Sequence, residues 1–128
     1  MVEIEVGETF EETTTISEED IDQFADVSGD HNPIHTDEEY AENGLFGKRI
    51  AHGILVAGSI SAAIASMPGE VIYLSQDLQF TDPVYIGDEI TASVTVDEEV
   101  GNGKYRLNTD VIKEGKKVIV GEAVVLQK

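Results

Sequence analysis

The sequence predicts an α+β domain in which long antiparallel strands wrap one buried central helix. Residues Ala51 to Ser66 are apolar nearly all round, and a helix that is hydrophobic on every side belongs inside a domain. Pro68-Gly69 ends it, and four strand-like segments follow: Val71 to Phe80, Glu89 to Glu98, Lys104 to Lys113 and Lys117 to Leu126. Ile90, Ala92, Val94 and Val96 alternate with Thr91, Ser93 and Thr95, the period-two pattern of a half-buried strand. Gly101-Asn102-Gly103 and Glu114-Gly115 supply the tight turns.

Ahead of the central helix, Glu8 to Ile16 is rich in threonine and reads as a further strand. Ser17-Glu18-Glu19-Asp20 forms a capping box. Ile21, Phe24, Ala25 and Ser28 then fall at i, i+3, i+4 and i+7, giving the capped helix one packed face. That helix delivers the chain into Gly29-Asp30. Thr36-Asp37-Glu38-Glu39 repeats the cap pattern and Gly44 offers a stop, so a second short helix is expected over Asp37 to Asn43.

At 128 residues, with no linker, repeat or low-complexity block, residues 1–128 are expected to form a single domain. No basic segment followed by an apolar run and a small-residue cleavage site is visible, and the apolar stretch from Ile50 to Met67 is interrupted by His52, Gly53, Gly58 and serines. The chain is therefore expected neither to be secreted nor to span a membrane. The absence of cysteine excludes disulfides, thiolate chemistry and the common structural zinc sites. A cytoplasmic location fits these features.

The net charge of −18 repels nucleic acid and anionic membranes, so neither is expected as a partner. The acidic residues are dispersed through structured segments rather than gathered in a tail. This suggests a halophilic cytoplasm, where the screening length is about 3 Å at 1 M salt against about 10 Å at 0.1 M; the alternative is an acidic mesophilic protein. Before Lys104 the only basic residues are Lys48 and Arg49, just ahead of the central helix. Cations there oppose the helix dipole, so an anionic ligand docking nearby gives one reason for them and surface ion pairs give the other.

General acid-base equipment lies in Phe24 to Thr36, where Asp30, Asn32 and His35 are held around a turn by Gly29 and Pro33. Asp30 and His35 can share one water or one substrate proton; the competing reading is an Asx-turn with a helix-capping histidine. His31 and His35, with Asp30 and Asp37, superficially suggest a metal site. Pro33 disfavours the continuous helix that would align the two imidazoles, and no metal is expected. His31 reads as exposed polarity and His52 as a capping or packing residue. The N-terminus of the central helix beside Gly53 offers unpaired N–H donors to an oxygen that becomes negative during reaction.

The run Phe24-(x)2-Val27-Ser28-Gly29-Asp30-(x)-Asn32-Pro33-Ile34-His35-(x)5-Ala41 resembles the signature of the MaoC-like family, the (R)-specific enoyl-CoA hydratases with a hot-dog fold. Ile50-Ala51-His52-Gly53 and Phe80-(x)2-Pro83-Val84-(x)2-Gly87-Asp88 are similar to further family segments. The resemblance covers nearly the whole chain. It implies that Asp30 and His35 activate water for addition to C3 of a trans-2-enoyl thioester, that Gly53 N–H binds the thioester oxygen, and that Asn32 orients the dyad or its water. Ser61 matches a helix serine facing the active site, although a buried serine commonly bonds only a backbone carbonyl. The implied product is an (R)-3-hydroxyacyl thioester, with no metal or redox cofactor, made by a homodimer whose acyl tunnel forms at the interface.

A base near water, a proton for C2 and a donor for the thioester oxygen are the three demands of hydration, and the segment offers a group for each. One rival is a hot-dog acyl-CoA thioesterase, but Ile54 to Met67 carries no Asp or Glu of the kind such enzymes place on the central helix. Another is a non-catalytic acyl-thioester binding domain, against which the intact Asp30, Asn32 and His35 argue. Coenzyme A is favoured over an acidic carrier protein because of the chain's own charge. The sequence leaves acyl length and pathway, fatty-acid or polyhydroxyalkanoate metabolism, open.

Overall fold

The computed structural model describes residues 4–128. Five antiparallel strands, β1 (Thr9–Thr15), β2 (Val71–Phe80), β3 (Glu89–Gly101), β4 (Lys104–Lys113) and β5 (Lys116–Gln127), form one sheet in the order β1-β3-β4-β5-β2. Four helices are α1 (Glu18–Ser28), α2 (Pro33–Thr36), α3 (Glu38–Glu42) and α4 (Gly53–Ala65). The last packs across the inner face of β1, β3 and β4 and meets β2 only lightly. The expected sheet around one helix is therefore present.

Turn chemistry sets the register of the two hairpins. Asn102 and Gly103 have φ of 54° and 79° between paired Gly101 and Lys104, and Glu114 and Gly115 have 49° and 77° between paired Lys113 and Lys116. Positive φ at both central residues is the type I′ signature, whose twist matches that of the strands. The pairing then turns Ile90, Ala92, Val94 and Val96 of β3 inward beside Leu107 and Val111 of β4, all of them buried. These side chains meet Val56, Ile60, Ala63 and Ile64 of α4 in the core.

The structure corrects two expectations here. Helix α4 is not covered on every side: Ile54 is 58% exposed, and Gly58, Ser61, Ala62 and Ala65 share its outward face. A single sheet can cover only one side of a helix, so an all-round apolar pattern leaves a face for something else. The turn after Asp30 also contains a helix that the pattern did not suggest. Asn32 caps α2 and Pro33 occupies its first position, where the missing N–H is harmless.

Candidate active site

A chain of short side-chain bonds shapes the segment between α1 and α3. Ser17 and Asp20 form the reciprocal capping box that starts α1, with Asp20 N–H 3.0 Å from Ser17 Oγ and Ser17 N–H 2.9 Å from Asp20 Oδ2. Gly29 ends the helix at φ 80°, its N–H donating to Ala25 O. Ser28 Oγ accepts the Asp30 N–H at 3.1 Å, Asp30 Oδ1 accepts the Asn32 N–H at 3.2 Å, and Asn32 Oδ1 accepts the Ile34 N–H at 3.4 Å. Each bond replaces a backbone partner that no helix or strand provides at this point. The Asx-turn is thus real, and it occupies one Asp30 oxygen while Oδ2 has no internal partner among the described residues.

His35 is buried, at 7% exposure, and Asp30 is exposed. The His35 ring meets Ile50 O at 2.9 Å. A carbonyl can only accept, so Nδ1 carries the proton and Nε2 is left as the basic nitrogen. Burial lowers the pKa of His35 below its ordinary value of 6.5; the Ile50 carbonyl and Asp30 oppose the shift and His52 adds to it. The imidazole is therefore ready to act as a neutral base near pH 7.

His52, 2% exposed, lies beneath His35 with ring centroids 4.0 Å apart and planes at 28°, and Phe24 meets it edge-on at 4.8 Å. Its Nε2 donates to Asp30 O at 3.0 Å. Far more than a helix-start packing residue, His52 holds the backbone of Asp30 and the plane of His35 together. One side-chain ligand atom from each of Asp30, His35 and His52 lies within 4.8 Å of the others. Two hydrogen bonds of about 2.8 Å through one bent water span such a gap.

Behind His35 opens a cavity of about 380 Å³ lined mainly by apolar groups, among them Phe46, Ile54, Phe80 and Ile119, with Gly53 on its wall. No side chain caps the first turn of α4, so its leading N–H groups stay available. At Gly53 a Cβ would stand 2.6 Å from the Phe80 ring, which would have to shift to admit it. His35 and Gly53 thus line one cavity and Asp30 stands beside His35, whereas the Asn32 side chain is turned to the start of α2 and is not part of the lining. Ser61 does not join them; it lies on the exposed face of α4, about two turns beyond Gly53 and outside the cavity lining.

The two adjacent cations separate. Lys48 is exposed, with its ammonium 4.4 Å above the Tyr85 ring. Arg49, expected to meet an anionic ligand, instead turns inward and is 7% exposed, its guanidinium bound to Glu18 at 2.9 Å and Asp22 at 2.8 Å. Burial and three bonds to internal acceptors turn that charge away from solvent, and the ion-pair alternative is the one the structure favours for this residue. Near Lys48, Asp88 accepts the Tyr85 N–H and Lys113. Burial alone would raise its pKa, but those donors and the charges of Lys113 and Lys48 outweigh it and hold the carboxyl below its ordinary range.

Residues 3–121 match the family model described as MaoC like domain. The chain belongs to the MaoC-like dehydratase family. Over 127 residues it is 46% identical to an (R)-specific enoyl-CoA hydratase from Rhodospirillum rubrum, covering 97% of this chain and 88% of that protein. Among solved structures it is similar to the R-hydratase PhaJ1 from Pseudomonas aeruginosa, with TM-score 0.91 and 44% identity over 97% of this chain and 82% of that one. It is similar also to the (R)-hydratase from A. caviae, with TM-score 0.93 and 34% identity over 98% of each chain. These neighbours agree with the hot-dog fold seen here.

Within this MaoC-like chain, residue order alone missed three contributors: Ile50, whose carbonyl fixes the His35 tautomer; His52; and Phe80, which presses on Gly53. The signals available were faint. His52 stands before a glycine at a helix start, and Phe80 opens the segment leading to Pro83, but neither position reveals which distant atom it meets.

Proposed function

We propose that the protein is an (R)-specific enoyl-CoA hydratase, adding water reversibly across a trans-2-enoyl-CoA to give an (R)-3-hydroxyacyl-CoA. The observation that carries this reading is that neutral His35, with Asp30 beside it, lines one apolar cavity together with the uncapped start of α4 at Gly53. Water held between the Asp30 carboxylate and His35 Nε2 gives up a proton to this pair as its oxygen bonds to C3. Electron density moves to the thioester oxygen, which the Gly53 N–H stabilises, and the captured proton returns to C2. Asn32, at the turn, keeps Asp30 in register through its own N–H.

In this reading the acyl chain enters the apolar cavity and Lys48 meets a phosphate of coenzyme A. The carrier is coenzyme A because a chain of net charge −18 repels an acidic carrier protein. Exposed Ile72, Tyr73 and Leu74 on edge strand β2 and the bare face of α4 that carries Ile54 and Ser61 support a homodimer. Covering both would bury apolar surface, pair an open edge and bring Ser61 into an enclosed tunnel. A halophilic cytoplasm, with product feeding fatty-acid or polyhydroxyalkanoate metabolism, completes the proposal.

The test is incubation of purified protein with trans-2-butenoyl-CoA in high salt, following loss of the conjugated thioester absorbance and the configuration at C3 of the product. Hydration to the (R)-alcohol is expected. Release of free coenzyme A without hydration, or the (S)-product, would refute the assignment. Light scattering should give twice the chain mass for the active species.

A further inference from the structure

Arg49 takes no part in the proposed chemistry, yet its guanidinium spans the two elements on either side of the catalytic turn. Nε donates to His35 O at 2.6 Å, Nη1 to Glu18 Oε2 at 2.9 Å and Nη2 to Asp22 Oδ1 at 2.8 Å. Glu18 and Asp22, four residues apart, share one face of α1, and His35 belongs to α2. Between these helices runs the turn that carries Asp30. The neighbouring Ile50 accepts from the His35 ring and donates its own N–H to Ile34 O at 3.2 Å. His35 is thus held by its backbone through Arg49 and by its ring through Ile50.

Stability alone does not explain this arrangement. The carboxylate ends are 62% and 55% exposed while the guanidinium is 7% exposed, so the pairs satisfy a buried charge, a need that fewer or differently placed acceptors could also meet. What a planar guanidinium does supply is direction, with three donors at fixed angles that lysine cannot imitate. The distance between the Asp30 carboxylate and His35 Nε2 depends on how α1 sits against α2, and Arg49 is the side chain that joins α1 to the His35 backbone.

We infer that Arg49 is a positioning residue that sets the separation of Asp30 and His35 by strapping α1 to the His35 carbonyl. This rests on the hydratase reading. In Arg49→Gln and Arg49→Lys, kcat for trans-2-butenoyl-CoA should fall about 10- to 100-fold, the scale of a small misplacement of reacting groups. KM should change less than about twofold, since substrate contacts are untouched. Nitrogen NMR titration of labelled histidine should show the His35 midpoint displaced in both variants, because the Asp30 carboxylate acts on it according to their separation.

Native circular dichroism with parental kcat and an unaltered His35 titration in both variants would overturn the inference, as would a loss confined to KM. If Arg49→Gln and Arg49→Lys fail to fold, the double variant Glu18→Ala/Asp22→Ala removes both acceptors on α1 while keeping the bond to His35. It should lose kcat several-fold at constant KM, and parental kcat there would overturn the inference too. If the parent hydrates no enoyl-CoA, the hydratase reading fails, and the NMR comparison decides the role of Arg49 by itself.

Discussion

The helical stretch from Ser17 to His52 and the five-stranded sheet are held by different means. In the sheet, backbone ladders and inward Val, Ile and Leu side chains repeat the same contact many times, so no single polar group decides the geometry. In the helical stretch the decisive bonds are single: Ser28 to Asp30, Asp30 to Asn32, His35 to Ile50, His52 to Asp30 and Arg49 to His35. Redundancy makes the sheet a frame, while singular bonds make the helical stretch accurate and sensitive to change. Damage to one region should appear in stability and damage to the other in turnover.

The largest separation is expected at the dyad. Asp30→Asn and His35→Ala should each lower turnover by a factor on the order of 10² to 10⁴, because neither group can take over the other's proton transfer. Thermal melts of both should stay close to the parent's. Leu107→Ala is the counterpart in the frame: this side chain is fully buried between α4 and the sheet, and its truncation should cost about 2 to 5 kcal/mol in urea unfolding. Turnover measured well below its melting point should be nearly unchanged. A Leu107→Ala protein that is stable but slow would erase the distinction between the two regions.

Gly53 stands where the regions meet, since Phe80 of β2 presses on the first residue of α4. Gly53→Ala should push the ring aside and move the leading N–H groups, lowering kcat about tenfold, or roughly 1.4 kcal/mol in the barrier. Adding Phe80→Leu should recover part of the loss. No recovery would show that the ring is not what the new methyl meets.

The pH dependence of the helical stretch is governed by His35, whose pKa lies below 6.5 in the folded protein. Its neutral, basic form therefore survives below that pH, and the acid limb of kcat/KM should fall at a pH under 6.5. For stability the sign is the same. A depressed histidine value leaves the folded state favoured above the unfolded-state pKa, and that contribution declines as pH drops from about 6.5 through the folded value. His35→Gln should flatten this part of the stability profile, while Leu107→Ala should lower the whole curve without changing its shape.

Salt acts on both regions and gives the most gradual effect. With 26 acidic side chains against 8 lysines and arginines, the compact chain repels itself more than the unfolded one does. Circular dichroism melts should rise steadily from dilute buffer to molar KCl. A midpoint that is flat or falls with salt would refute the halophilic reading and leave the site chemistry untouched.

Much of the frame was legible from residue order because it depends on local periodicity. The alternation in β3, the Asn102-Gly103 and Glu114-Gly115 turns, the Ser17 capping box and the small-residue helix each encode their own conformation within a few positions. A motif packed into short segments singled out Asp30, Asn32, His35 and Gly53, of which the structure puts His35 and Gly53 on one cavity wall and Asp30 beside His35. Contacts between segments far apart in the chain were decided only by the tertiary structure. Whether Arg49 faced solvent or the His35 carbonyl depended on where α1 lay, and whether His52 was a cap or a support depended on where Asp30 ended. The bare side of α4 shows the same limit, since an apolar pattern states that a face must be covered and only the path of the sheet decides which face it reaches.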